Sequence, residues 1–98
     1  MSWGNLGSKI PVQNPDLAWR IVDDECILVD PQGSAATVLN TVGARIWELA
    51  DGKRTLAQIL DQLIEEYNVE PARLASDADE FVRHLEKLKL ISFEVAQR

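Results

Sequence analysis

The sequence predicts an α+β domain in which a three-stranded antiparallel sheet is followed by three helices. Three observations carry that expectation. Short runs rich in β-branched and aromatic residues, at 18–22, 26–29 and 36–39, are separated by turn chemistry. At Asn40 the apolar spacing changes from two to 3.6. From there to Leu88 apolar side chains recur at helical intervals, interrupted at Gly52 and before Pro71. A chain of 98 residues is the size of one domain with one core, and 46% hydrophobic with 27% charged residues is the composition of a folded globular protein.

The first seventeen residues hold Gly4, Gly7, Pro11, Asn14 and Pro15, which punctuate chains, and they read as a flexible arm (1–17) ahead of a domain at 18–95. Trp3 and Ile10 on that arm are apolar enough to pack on the body or on a second copy. Ala18–Val22 and Cys26–Val29, separated by Asp23-Asp24-Glu25, read as a hairpin. The second run is apolar at successive positions, as suits a central strand covered on both faces. Asp30-Pro31-Gln32-Gly33-Ser34 turns the chain into a third strand, Ala36–Leu39. In a meander, one long side of that strand has no partner.

Asn40 or Thr41 can accept from the free amides of a first helical turn, and Val42, Ile46, Leu49 and Ala50 then share a face, with Gly52 closing the helix as a left-handed cap. Trp47, one position on from Ile46, faces either the core or a partner. Thr55-Leu56-Ala57-Gln58 has capping-box form and opens a second helix with the stripe Leu56, Ile59, Leu60, Leu63, Ile64 and Tyr67. Asn68-Val69-Glu70 breaks it. Pro71 suits the first turn of a third helix, carrying Leu74, Ala78, Phe81, Leu85 and Leu88, and Ile91–Val95 alternates like a last short strand.

Catalytic and metal chemistry find few residues. His84 is the single histidine, so a two-histidine metal motif cannot form within one chain, and it falls at the edge of the third helix's stripe, as a surface histidine does. The single Cys26 lies in an apolar run, the setting of a small buried hydrophobe rather than of a reactive or metal-binding thiol. No phosphate-cradling glycine motif or nucleophile elbow is present. The carboxylate pairs Asp23-Asp24, Glu65-Glu66 and Asp79-Glu80 sit in a turn or on solvent faces. The reading is therefore not an enzyme, with no cofactor and no metal. A net charge of −6 opposes binding to nucleic acid or to an anionic membrane surface. No run approaches the ~20 apolar residues of a bilayer span, and the amino terminus has no secretory signal pattern, which makes the cytoplasm the expected location.

Three strands and three helices also fit a winged helix-turn-helix, whose ordinary use is DNA binding through its last helix. Here that helix opens Ala72-Arg73-Leu74-Ala75-Ser76-Asp77-Ala78-Asp79-Glu80, and acids in its first turns would repel phosphates. The junction points elsewhere. Leu39, Asn40, Gly43, Ala44, Ile46, Trp47, Leu49, Asp51 and Gly52, followed by Thr55 and Ile59 and then Tyr67, Val69 and Pro71, form a pattern that resembles the PqqD-like family. That family includes the coenzyme PQQ synthesis protein D and the leader-peptide binding domains called RiPP recognition elements. The resemblance runs from about Trp19 to Ile91; Val42 stands where members often carry Thr, which leaves the cap to Asn40 or Thr41.

The resemblance implies a non-enzymatic peptide chaperone. It would hold the leader segment of a ribosomally made precursor as an added strand beside the third strand, and present it to a modifying enzyme, in many such pathways a radical SAM protein. Carried over by position, the edge is Ala36, Thr37, Val38 and Leu39, and the helix wall is Asp77, Ala78, Phe81, Val82 and Leu85. The residues agree with that mechanism, because the edge carries neither charge nor proline to defend it against another chain. Val82 lies to one side of the Phe81-Leu85 stripe, either as groove wall or as added core. Asp77 is either a partner for a basic leader residue or a solvated acid. The competing readings are a winged-helix DNA-binding protein and a structural module, a homodimer joined through the Trp3-bearing arm.

Overall fold

The computed structural model describes residues 7–30, 32–33 and 35–95, with Val95 as backbone only. Its elements are β1 (Lys9–Gln13), β2 (Ala18–Val22), β3 (Glu25–Val29), β4 (Ala36–Leu39), α1 (Thr41–Leu49), α2 (Leu56–Tyr67), α3 (Pro71–Lys87) and β5 (Ile91–Val95). The expected meander and three helices are present: β2, β3 and β4 form an antiparallel sheet in that order, with β3 central and β4 at an edge. Asp23 and Asp24, at φ 51° and 68°, close the β2–β3 hairpin in two residues. Positive φ at both central positions is what the right-handed twist of two-residue hairpins selects, and Asp tolerates it better than most residues.

Part of the expected arm is structured. Residues 9–13 form β1, which pairs antiparallel with β5, from Lys9 opposite Val95 to Gln13 opposite Ile91. The Gly and Pro content hid this strand because Pro11 sits in a two-stranded ribbon, where a missing amide donor is tolerated. Gln13 N donates to Ala50 O at 2.9 Å, Gly52 N to Pro11 O at 3.1 Å, and the Gln13 amide nitrogen to Trp47 O at 2.7 Å. β1 is thus tied to the end of α1. Trp3 lies outside the described residues, as do Pro31 and Ser34.

The helix ends follow from their caps. Asn40 Oδ1 accepts from Gly43 N at 2.8 Å, which settles the first cap on Asn40. Gly52 is not the far cap. Ala50 N already closes on Trp47 O, and Gly52, at φ +79°, turns the chain two residues later, against Val12. Thr55 and Gln58 form the expected reciprocal box, and Asn68 ends α2 in the left-handed conformation. α3 begins at Pro71. It ends in a Schellman arrangement, with Leu90 N on Leu85 O, Lys89 N on Glu86 O, and Lys89 at φ 62°. Leu88, expected on the α3 stripe, is the exposed C-cap residue.

The core lies between the three-stranded sheet and the helices. Cys26 and Leu28 of β3 and Leu39 of β4 meet Ile46, Trp47 and Leu49 of α1, Leu56, Ile59, Leu60 and Leu63 of α2, and Leu74, Ala78, Val82 and Leu85 of α3. Trp47 therefore faces the core, its ring edge-to-face with Trp19 of β2 at 6.2 Å and 81°.

Candidate peptide-binding site

β4 presents its free edge at the point where the chain turns into α1. Leu39 opposes Cys26 and Thr37 opposes Leu28, so both point toward the helices, Leu39 buried and Thr37 half-buried. Ala36 and Val38 take the other face, and Val38 is 60% exposed. Among the described residues β4 has no neighbour beyond β3.

Beside this edge a cleft of about 340 Å³ opens between the first turns of α1 and the N-terminal half of α3. From α1 it is lined by Val42, Gly43 and Ile46, with Asn40 at the strand-to-helix turn. Leu74, Asp77, Ala78 and Phe81 of α3 form the opposite wall, and Val69 and Arg73 complete it. These positions meet because Val42 and Ile46 stand one turn apart on α1, while Leu74, Ala78 and Phe81 stand at i, i+4, i+7 on α3. Close approach needs the glycine: a Cβ on Gly43 would lie 3.0 Å from both Cε1 and Cζ of Phe81. Phe81 is half-buried and separates this cleft from a shallower depression lined by Asp77, Glu80 and His84.

Of the wall expected from the sequence, Asp77, Ala78 and Phe81 stand at the cleft. Val82 and Leu85 do not line it: both are core residues, as buried as Ala78 at 1% exposed, on a helix that packs against α2 and β5. Asn40, Val42, Gly43, Ile46, Val69, Arg73 and Leu74 were not anticipated as lining. The signal for the first four lay in the strand-helix junction itself, where residues that start a helix directly after an edge strand must flank that edge. Asp77 pairs with Arg73 at 3.6 Å, both side chains well exposed. An exposed pair at this spacing is worth at most about 0.5 kcal/mol, so either partner is free to exchange.

Two groups with shifted titration, Cys26 and Glu66, lie outside the cleft lining and serve the fold. Burial, with Glu48 adding repulsion, pushes the Cys26 thiol up to about 11, so it stays protonated at neutral pH. Arg45 holds Glu66 in a two-pronged pair at 2.9 Å and Gln62 adds a third bond, which brings the Glu66 carboxyl down to about 2.

The family model of coenzyme PQQ synthesis protein D (PqqD) matches residues 25–91, from β3 to the start of β5. The chain belongs to the PqqD family. Among solved structures, this PqqD-family chain is similar to TbiB1 in complex with the TbiA(β) leader peptide, at 27% identity and a TM-score of 0.73, over 88% of this chain and 99% of that one. It shares its fold with a lasso peptide synthetase B1 complexed with the leader peptide, at 20% identity and a TM-score of 0.72, over 85% and 98% of the two chains. No curated protein matches it in sequence.

Proposed function

We propose that this chain binds the leader segment of a ribosomally synthesised precursor peptide as an added strand along Ala36–Leu39, with leader side chains in the cleft between α1 and α3, and presents it to a modifying enzyme. The observation that carries the reading is the undefended β4 edge, which runs straight into Asn40 at the mouth of an apolar cleft. The 27% identical TbiB1, of the same fold, was solved with a leader peptide. Magnitudes require both features. A four-residue edge offers up to about four outward backbone groups, each bond netting roughly 0.5–1.5 kcal/mol, whereas micromolar affinity needs about 8 kcal/mol beyond the ordering costs. One or two apolar leader side chains buried in the cleft, at roughly 1.5–3 kcal/mol each, bring the sum into that range.

The role is non-enzymatic in this reading, and Asp77, Ala78 and Phe81 serve as contact residues. The partner is the enzyme that modifies the bound precursor, of the radical SAM class in the PQQ pathway and many related ones. DNA binding is not favoured. α3 carries Asp77, Asp79, Glu80 and Glu86 against Arg73, Arg83 and Lys87, so a phosphate approaching it meets net negative charge. No helix among the described residues is long and apolar enough to cross a membrane.

Titration of the isotope-labelled chain with the leader half of a precursor peptide encoded beside its own gene, followed by NMR, tests the proposal. Amides of 36–43 and of the Arg73–Phe81 face are expected to shift together, and the β4 amides to gain protection from exchange. Saturable binding that leaves β4 unperturbed would refute strand addition.

A further inference from the structure

The other edge of the three-stranded sheet is as open as the first. Among the described residues β2 pairs only with β3, and all five of its residues are exposed. Edge strands are ordinarily blunted by charged side chains, proline, bulges or shortness. Of these β2 has one charge only, Arg20, which its register with Ile27 sets on the face away from the helices. Trp19 and Ile21 point toward the helices, opposite the buried Leu28 and Cys26, yet remain 41% and 39% exposed.

Ile21 continues into a second cleft, of about 170 Å³, with Ala44 and Tyr67 as its apolar walls and Asp24 and Glu48 at its rim. At about 100° per residue, Thr41, Ala44 and Glu48 stand on the side of α1 opposite Val42, Gly43 and Ile46. The two clefts therefore lie back to back across one helix, each beside a free sheet edge.

Charge and register select the occupant. Arg20 and Asp24 make no ion pair among the described residues, and Glu48 reaches only Arg45, at 3.8 Å, whose guanidinium is already held by Glu66 at 2.9 Å. A second copy fits poorly, because the antiparallel register that pairs all five β2 residues sets the two Arg20 side chains directly opposite each other.

We propose that β2 is a second docking edge, which takes an edge strand of a partner protein. That strand carries a lysine or arginine facing Asp24 and Glu48, an acid opposite Arg20 and an apolar residue over Trp19. With a leader on β4, the result is one continuous sheet in the order partner, β2, β3, β4, leader. The leader's place in that order rests on the function proposed above; the β2 surface does not.

The test uses the full chain and a cyclic β-hairpin peptide whose outer strand reads Val-Lys-Glu-Val-Thr. Paired antiparallel to β2, it places Lys opposite Ile21, Glu opposite Arg20 and the second Val over Trp19. The control exchanges Lys and Glu. NMR titration is expected to shift the amides of 18–22 and the Trp19 indole, to leave 36–39 unchanged, and to show at least about tenfold weaker binding of the control. Equal affinities, or no shifts on β2, overturn the proposal. Ile21→Lys is expected to weaken the matched peptide by about tenfold or more with an unchanged circular dichroism spectrum and unchanged leader affinity; unchanged peptide affinity in this variant counts against the surface. Leader binding without hairpin binding defeats the β2 proposal alone, and the converse defeats only the leader reading. Sedimentation covers the remaining occupant, since a dimer of the chain that Ile21→Lys dissociates would mean that a second copy fills the edge, and would overturn the proposal.

Discussion

Gly43→Ala separates the stability of the strand-helix junction from the binding role proposed for it. In α1, alanine gains up to about 1 kcal/mol of helix propensity over glycine. The same methyl group would sit 3.0 Å from Cε1 and Cζ of Phe81 and 3.2 Å from Asn40 Oδ1. Carbon pairs are at rest near 3.5–4.0 Å, so the ring must retreat by roughly 0.5 Å. Phe81 is half-buried at a cleft and can turn outward, which puts the overpacking cost at the low end of the usual range, about 1 kcal/mol. The two effects nearly cancel, and thermal unfolding is expected within roughly 4–8 °C of the parent. Binding does not cancel, because a displaced Phe81 removes one wall of the cleft. Leader affinity, read by fluorescence anisotropy of a labelled leader peptide, is expected to fall about tenfold, or about 1.4 kcal/mol. Phe81→Leu removes the contacting ring atoms, so the double variant should lose less affinity than the sum of the singles. A less than twofold loss from Gly43→Ala, or strictly additive losses, would refute the role assigned to this contact.

Other outcomes follow from the same contacts. Asn40→Ala removes the acceptor for Gly43 N and should cost about 1 kcal/mol in urea unfolding at unchanged slope. Val82→Ala deletes two buried methyl groups and should cost roughly 2 kcal/mol with little change in leader affinity, whereas Phe81→Ala should show the reverse balance. The Cys26 thiol, raised from 9.0 to about 11, should resist an aromatic disulfide reagent near pH 8 until the chain unfolds; because its folded value is the higher one, its contribution is full below about pH 9 and is lost as pH rises through about 11, a slope that Cys26→Ala should lack. Glu66, lowered from 4.5 to about 2, contributes above about pH 4.5 and loses that contribution toward pH 2; Glu66→Gln should cost under about 1 kcal/mol at neutral pH, with the difference from the parent vanishing across that window.

Much of this was legible in the sequence where one local rule dominates. The capping box at Thr55 and Gln58, Pro71 at the first turn of α3 and the alternating runs of β2 to β4 each declare themselves within a few residues. What stayed hidden depends on contacts distant in sequence. β1 has a proline and little alternation, and becomes a strand because β5, more than seventy positions later, supplies its partner. Gly52 looks like a cap, since glycine after a helix usually is one, but its positive φ serves the crossing with Pro11 and Val12. Val82 and Leu85 illustrate the same limit at the site. The apolar sector of α3 is wide enough for two contacts, and only the packing of α3 with α2 and β5 decides that Val82 and Leu85 go wholly inward while Leu74, Ala78 and Phe81 also reach the cleft.

The position of Trp47 explains how so small a domain holds its two open edges. Its indole is fully buried, and Nε1 finds no acceptor among the described residues, at a cost of about 1–3 kcal/mol. Burying some 150–250 Å² of aromatic surface returns roughly 4–6 kcal/mol, so the site is stabilising despite the lone donor. The net gain fixes α1 from several sides: the ring meets Trp19 of β2, the Trp47 carbonyl accepts from Gln13 of β1, and Asn40 ties the first turn to the end of β4. A helix so held cannot follow one sheet edge without carrying the other. Accordingly, occupation of β4 should leave β2 in place rather than reshape it, and any coupling between a leader and a partner bound there should arise from their direct contact in the assembled complex.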